Sequence, residues 1–202
     1  MDLFEQLDGT PANLLPHDGT LLYYGPLFSA READVLFRRL MQEVPWQHDE
    51  VTVMGKRIVT RRKYSWHGDK AWSYEYSGAV KTARPWVPVL LELKQRVEDI
   101  SGAGYNSCLL NLYHSGQEGM SWHTDNEKEL VPRAAITSLS FGAQRRFLLR
   151  HKGTGQTLEK TLEHGSLLVM RDEIQQHWLH SVPVMAKVTS PRISLTFRSM
   201  TD

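Results

Sequence analysis

Apolar residues recur at helical spacing in two stretches of the chain and at strand spacing in several others. Ser29 is followed three residues later by Glu32, a reciprocal N-terminal cap, and Ala33, Leu36, Phe37, Leu40 and Val44 then fall on one face. Pro45 stops that helix. A second helix opens near Pro88, carries Leu90, Leu93, Val97 and Ile100 three or four residues apart, and ends at Gly102. From about residue 106 the period shortens. Cys108 to Tyr113, Ala135 to Phe141, Arg146 to His151, Gly165 to Met170, His180 to Val184 and Arg192 to Arg198 are short β-rich runs separated by turn residues such as Gly116, Gly142, Gly153-Thr-Gly155 and Pro191. No ten-residue helical pattern intervenes, so βαβ units are excluded. The expected fold is mainly β, an antiparallel sandwich or barrel buttressed by helices that precede the strands. No internal repeat or long linker interrupts it, so one structural unit is expected.

The run Arg192-Ile-Ser-Leu-Thr-Phe-Arg198 carries two unlike faces. Ile193, Leu195 and Phe197 point to one side, and Arg192, Ser194, Thr196 and Arg198 to the other. Two guanidiniums and two hydroxyls are too many donors to be left dry, so that face either meets solvent or surrounds an anion. The arginine fork suits a carboxylate. At ~3.3 Å per residue the two arginine Cα atoms stand about 20 Å apart, so they need not grip the same group.

Composition narrows the class. The chain has 202 residues, 41% hydrophobic and 23% charged, enough for one substantial core. Its longest apolar stretches, Val87 to Leu91 and Leu167 to Met170, fall far short of the roughly 18 residues of a membrane span, so no membrane partner is expected. The acids Asp2, Glu5, Asp8 and Asp18 are the wrong layout for a secretory signal, and a lone cysteine, Cys108, fits a reducing cytoplasm. The formal net charge of +1 is unevenly spread: residues 1–50 carry three basic and nine acidic side chains, whereas residues 51–84 carry eight basic and two acidic. In that basic segment Lys56, Arg57, Arg61, Arg62, Lys63 and Lys70 offer phosphate contacts. Tyr64, Trp66, Trp72, Tyr74 and Tyr76 are interleaved with them as flat surfaces for bases, with burial of several in the core as the alternative.

His-x-Asp occurs twice, as His67-Gly68-Asp69 and His123-Thr124-Asp125, and a third histidine can come from His177-Trp-Leu-His180. Two histidines and one carboxylate bind one face of an octahedral ion and leave three positions open, the arrangement of non-haem Fe(II) oxygenases. Surface or core histidines with ordinary hydrogen-bonded partners are the alternative. His180 is preferred over His177 because it enters a strand-like run that would fix its direction.

Taken in order, Asn111-Leu-Tyr113 with Gly116, His123-Thr-Asp125, Ser140 to Gly142, His164 to Leu168, His180 to Pro183 and Arg192-x-Ser-x-Thr-x-Arg198 resemble the AlkB family of Fe(II)- and 2-oxoglutarate-dependent dioxygenases. The resemblance spans roughly residues 50–200. It implies a double-stranded β-helix (jelly-roll) core at 106–202, a nucleotide-recognition lid and supporting helix at 51–105, and an N-terminal extension and helix at 1–50. It implies that His123, Asp125 and His180 hold Fe(2+), that Arg192 pairs with the distal carboxylate of 2-oxoglutarate, and that Asn111, Tyr113, Ser194, Thr196 and Arg198 complete that pocket. Glu127 and Asn126 would bond the damaged base, Tyr74 and Tyr76 would stack on it, and Val53-Met54-Gly55 resembles a finger that enters the duplex. Ser194 stands where the founding enzyme type has asparagine, and Met54 where duplex-repair relatives are aromatic. The implied activity uses O2 to demethylate 1-methyladenine or 3-methylcytosine in DNA, releasing formaldehyde, from a flipped nucleotide and by a monomer. The same chemistry on RNA, and a non-catalytic nucleic-acid-binding β-sandwich, are the competing expectations.

Overall fold

The structure, a computed structural model, describes residues 10–53, 56–76 and 79–201, and the side chains of residues 49, 51–57 and 74–80 lie outside the description. Along the chain come β1 (Thr20–Pro26), α1 (Ala30–Glu43), β2 (Gln47–Val53), β3 (Lys56–Gly68), β4 (Ser73–Tyr76), β5 (Ala79–Thr82) and α2 (Pro88–Ser101). Then follow β6 (Ser107–Tyr113), β7 (Met120–His123), β8 (Ile136–Gly142), β9 (Arg145–His151), β10 (Thr157–Leu162), β11 (Ser166–Arg171), α3 (Ile174–His177), β12 (Trp178–Val182) and β13 (Arg192–Arg198).

The strands form a seven-stranded sheet in the order β1-β11-β8-β13-β6-β3-β2, a four-stranded sheet in the order β10-β9-β12-β7, and the hairpin β4-β5. Their pairings are antiparallel. The larger sheet has two unlike sides. Toward the helices, Leu36 and Leu40 of α1 and Leu90, Leu93 and Val97 of α2 close over Leu110, Leu139, Ile193, Leu195 and Phe197. On the other side, between the sheets, a second core gathers Phe147, Leu149, Leu168, Met170 and Trp178. The alternation in β13 therefore sends its apolar residues to the helix layer and Arg192, Ser194, Thr196 and Arg198 into the space between the sheets. The solvated alternative for that face is excluded, because Arg192, Ser194 and Arg198 are buried.

Both helices begin and end where the sequence places them. Ser29 and Glu32 make the reciprocal cap, and Gly102 closes α2 in the left-handed region at φ 67°. Ile100 is the exception: it is exposed, and Val89 takes the buried place. The helices do not precede the strands. β1 pairs with β11 at one edge of the large sheet, and β2 and β3 extend the other edge between α1 and α2. The sequence hides β3 because its charges interrupt the apolar alternation. Trp66, read as a surface for bases, is core: its indole N–H donates to Ser107 Oγ at 2.8 Å. The strand expected at His180 to Val184 runs from Trp178 to Val182, because the fully buried Trp178 anchors its start. Among the described residues no helix is long and apolar enough to cross a membrane.

Candidate metal and co-substrate site

His123 ends β7 and His180 lies opposite it on β12, a cross-strand pair that brings the two imidazoles to 4.2 Å between ring centres. Asp125 follows two residues beyond the strand, and one ligand atom from each of the three lies within 4.8 Å of the others. Their protonation suits a cation. Nδ1 of His123 donates to the Ser121 carbonyl at 2.8 Å, which leaves the Nε2 lone pair for a ligand. Burial pushes His180 down to about 4, opposed by the charge of Asp125 and assisted by His123 and Arg198, so its ring is neutral. Burial alone would raise Asp125, but Arg198, His180 and His123 together hold it below the usual carboxylate range. Arg198 Nη2 donates to Asp125 Oδ1 at 2.5 Å, and His180 Nε2 stands 3.9 Å from Oδ2. Two imidazoles and one carboxylate are the donor set a divalent iron requires, so these residues fit the ion.

A second group, His17, Asp18 and His151, has similar spacing and the wrong hydrogens. The backbone N–H groups of Gly153 and Thr154 donate to His151 Nδ1, so its proton sits on Nε2, which donates to Asp18 Oδ2 at 3.1 Å. His17 reaches the same oxygen at 2.9 Å. The three form a clasp that ties the segment before β1 to β9. His177 stacks on His151, with ring centres 6.0 Å apart, and so belongs with the clasp. His67 is wholly buried: Nδ1 donates to the Pro85 carbonyl at 2.7 Å, Nε2 meets Ser65 Oγ at 2.9 Å, and burial lowers its pKa. Of the two His-x-Asp motifs, the second alone joins a third histidine.

The triad opens on a cavity of about 410 Å³ between the sheets. Register sets its floor, since Tyr113 pairs with Arg192 and Asn111 with Ser194. Arg192 is 1% exposed, donates from Nη2 to Ser140 Oγ at 2.9 Å, and among the described residues has no partner for Nε or Nη1. Its guanidinium lies 5.3 Å from the Tyr113 ring. Arg145, on the same ring, instead donates to the carbonyls of Glu118 and Pro183. A buried guanidinium with two open donors is a strong pull on an anion, and a carboxylate matches its fork.

Arg62, Tyr64, Met120, Trp122 and Glu127 also line the cavity. Among the described residues Glu127 Oε2 is buried without a hydrogen-bond partner, and Oε1 is 3.5 Å from Arg198 Nη1. Alternation along β3 separates Arg62, which lines the cavity, from Arg61, which is exposed. Asn126 is likewise exposed, where it accepts from Thr124 Oγ1. Val53, Tyr74 and Tyr76 fall in strands whose side chains there lie outside the description, and Met54 and Gly55 lie outside the described residues. Sequence reasoning missed Lys81, whose ammonium sits 4.2 Å above the Tyr64 ring in the cavity wall. It also missed Gln175, which accepts from the Asp125 backbone N–H. Neither carries a local signal, because contacts distant along the chain bring each to the site.

Residues 19–198 match the 2OG-Fe(II) oxygenase superfamily. DNA oxidative demethylase ALKBH2 of Mus musculus is 40% identical over 194 residues, 91% of this chain and 81% of that protein. The Homo sapiens protein of the same name is 38% identical, over 88% of this chain and 72% of its own length. Alpha-ketoglutarate-dependent dioxygenase alkB homolog 3 of Bos taurus is 37% identical, over 84% of this chain and 62% of that protein. A solved structure titled "The structure of OsALKBH1" shares the fold, with a TM-score of 0.59 at 15% identity over 94% of this chain and 100% of that one. Matched along nearly its whole described length, the chain belongs to the 2OG-Fe(II) oxygenase superfamily and, within it, to the AlkB family, and works with Fe(II), 2-oxoglutarate and O2.

Proposed function

We propose that the chain oxidatively demethylates alkylated bases in DNA, of the 1-methyladenine and 3-methylcytosine type. The observation that carries this reading is one cavity containing both the His123, Asp125 and His180 group and the open guanidinium of Arg192. His123, Asp125 and His180 would hold Fe(II). The chemistry the ion would supply is oxidation of an N-methyl carbon by O2, coupled to decarboxylation of 2-oxoglutarate to succinate and CO2, with formaldehyde leaving from the hydroxymethylated base.

The chain's own residues do the rest. Arg192 binds and orients the distal carboxylate of 2-oxoglutarate, and Tyr113, Asn111, Ser194 and Thr196 line the bed in which it lies. Arg198 holds the Asp125 carboxylate ionised and directed at the imidazoles. The open Oε2 of Glu127 suits a base N–H or the positive charge of an alkylated base. A methyl within a base stack cannot enter a cavity between two sheets, so the nucleotide must flip out, at a cost of a few kcal/mol that is lowest where alkylation has already broken pairing. Basic residues of 51–84, among them Arg61 and Arg62, supply phosphate contacts, and Tyr74, Tyr76, Val53, Met54 and Gly55 are the residues the family resemblance assigns to the extruded base. Asn126, exposed next to the ligand Asp125, is the second residue the resemblance offers to the base. Every group named comes from one chain, so a monomer suffices.

The test is succinate and formaldehyde release from 2-oxoglutarate with Fe(II) and 1-methyladenine or 3-methylcytosine oligonucleotides, run in parallel on DNA and RNA. Equimolar products on DNA are expected. Turnover confined to RNA would move the substrate to RNA, and no turnover on either would leave the nucleic-acid-binding sandwich as the reading.

A further inference from the structure

Asp125 lies beyond the last residue of β7, on a stretch where no strand ladder holds the backbone. Among the described residues its N–H has one acceptor, Oε1 of Gln175, at 2.9 Å. Gln175 sits in α3, the single turn that leads directly into β12 and His180. That turn is itself tied down. Ile174 is 2% exposed, Lys152 Nζ donates to the carbonyls of Gln175 and Gln176 at 3.1 and 2.9 Å, and Gln175 Nε2 donates to Met170 Sδ at 3.6 Å. The thioether holds the amide so that its oxygen, the only atom able to accept, faces Asp125.

We propose that Gln175 is a positioning residue for the carboxylate arm of the metal site, an inference that rests on reading His123, Asp125 and His180 as the metal ligands. Two bonds of different kind set the place of that carboxylate. Arg198 holds Oδ1 and, left alone, would draw the side chain toward itself and Glu127. Gln175 holds the main chain, without charge, at the distance that leaves Oδ2 beside His180. Because α3 also launches β12, one turn fixes the carboxylate and imidazole arms together. Partners that orient metal ligands are commonly worth about 10–100-fold in metal affinity.

The experiment titrates the metal-free full chain with Mn(II) alone, by calorimetry, for wild type, Gln175→Met, Gln175→Glu and Asp125→Ala. Gln175→Met, which keeps the length and loses the acceptor, is expected to bind 10- to 100-fold more weakly with an unchanged metal-free melting temperature. Gln175→Glu, which restores the acceptor, is expected to bind within threefold of wild type or more tightly. Affinity in Gln175→Met within twofold of wild type overturns the inference. Undiminished binding by Asp125→Ala overturns the ligand reading beneath it instead. Hydrogen exchange on the wild-type protein needs no variant: the Asp125 amide is expected to be protected without metal, and free exchange there also overturns the inference.

Discussion

Replacing Arg192 by methionine is expected to stabilise the ligand-free protein while removing its response to 2-oxoglutarate. The wild-type side chain is 1% exposed, donates to Ser140 Oγ, and among the described residues leaves Nε and Nη1 without a partner. Burial lowers its pKa, the direction expected where the charged form is the costly one. Methionine fills a similar length without charge, and exchanging a poorly compensated buried charge for an apolar side chain is often neutral or stabilising by about 1–4 kcal/mol. At about 2–4 °C per kcal/mol for a chain of this size, a gain of about 1–2 kcal/mol raises the melting temperature by roughly 2–8 °C. The same change removes the partner of the co-substrate carboxylate, a loss of about 2–5 kcal/mol for a buried charge pair. That corresponds to roughly 30-fold or more in affinity. Thermal unfolding of both proteins in Mn(II), with and without 2-oxoglutarate, reads the two effects together. Wild type should melt higher with co-substrate, and Arg192→Met should start higher and stay there. A variant that melts lower than wild type, yet still gains from 2-oxoglutarate, would refute the assignment of Arg192 as an anion anchor left open by the fold.

Three further outcomes follow from other positions. His67 is neutral in its buried site, so its contribution is full above pH 6.5 and is lost as pH falls through its lowered folded value. His67→Asn should therefore cost about 1–3 kcal/mol at pH 7.5 in urea unfolding and less at pH 5.5, and a gap that widens in acid would contradict this. Gly142 has φ 87°, and a Cβ there would stand 2.4 Å from the Pro191 carbonyl oxygen, so Gly142→Ala should lower the melting temperature by at least about 6 °C, from a penalty near 3 kcal/mol; an unchanged melting curve would show that the turn yields. Met54→Ala should reduce turnover more on double-stranded than on single-stranded DNA, because a wedge matters only where a stack must be opened. Equal losses in a strand comparison would exclude that role.

Both helices, their caps and the β-rich second half were legible along the chain because each rests on neighbours within a few residues. The unlike faces of Arg192 to Arg198 were legible too, since strand geometry sends alternate residues to opposite sides whatever the partner strand. What that polar face meets was not legible. Only the stacking of the smaller sheet over it separates an anion pocket from a wet surface. β3 escaped because its charges blur the apolar alternation that betrays a strand, and β1 because Leu21-Leu22 and Tyr23-Tyr24 run as like neighbours with no alternation. The same limit applied to the metal candidates, where spacing alone left His67, His123, His177 and His180 as rivals.

The amino-acid order by itself determined which residues could act: a carboxylate two residues after His123, arginines on one face of β13, and a series of motifs whose order resembles the AlkB family. Tertiary structure decided which of them do meet. The pairing of β12 with β7 set His180 against His123, backbone hydrogens turned His151 into a clasp with Asp18 and His17 on which His177 stacks, and Pro85 and Ser65 took both nitrogens of His67. Lys81 and Gln175 became visible only then. Local periodicity encodes the direction a side chain points, whereas strand partnership and the free lone pair of an imidazole depend on residues brought from far along the chain.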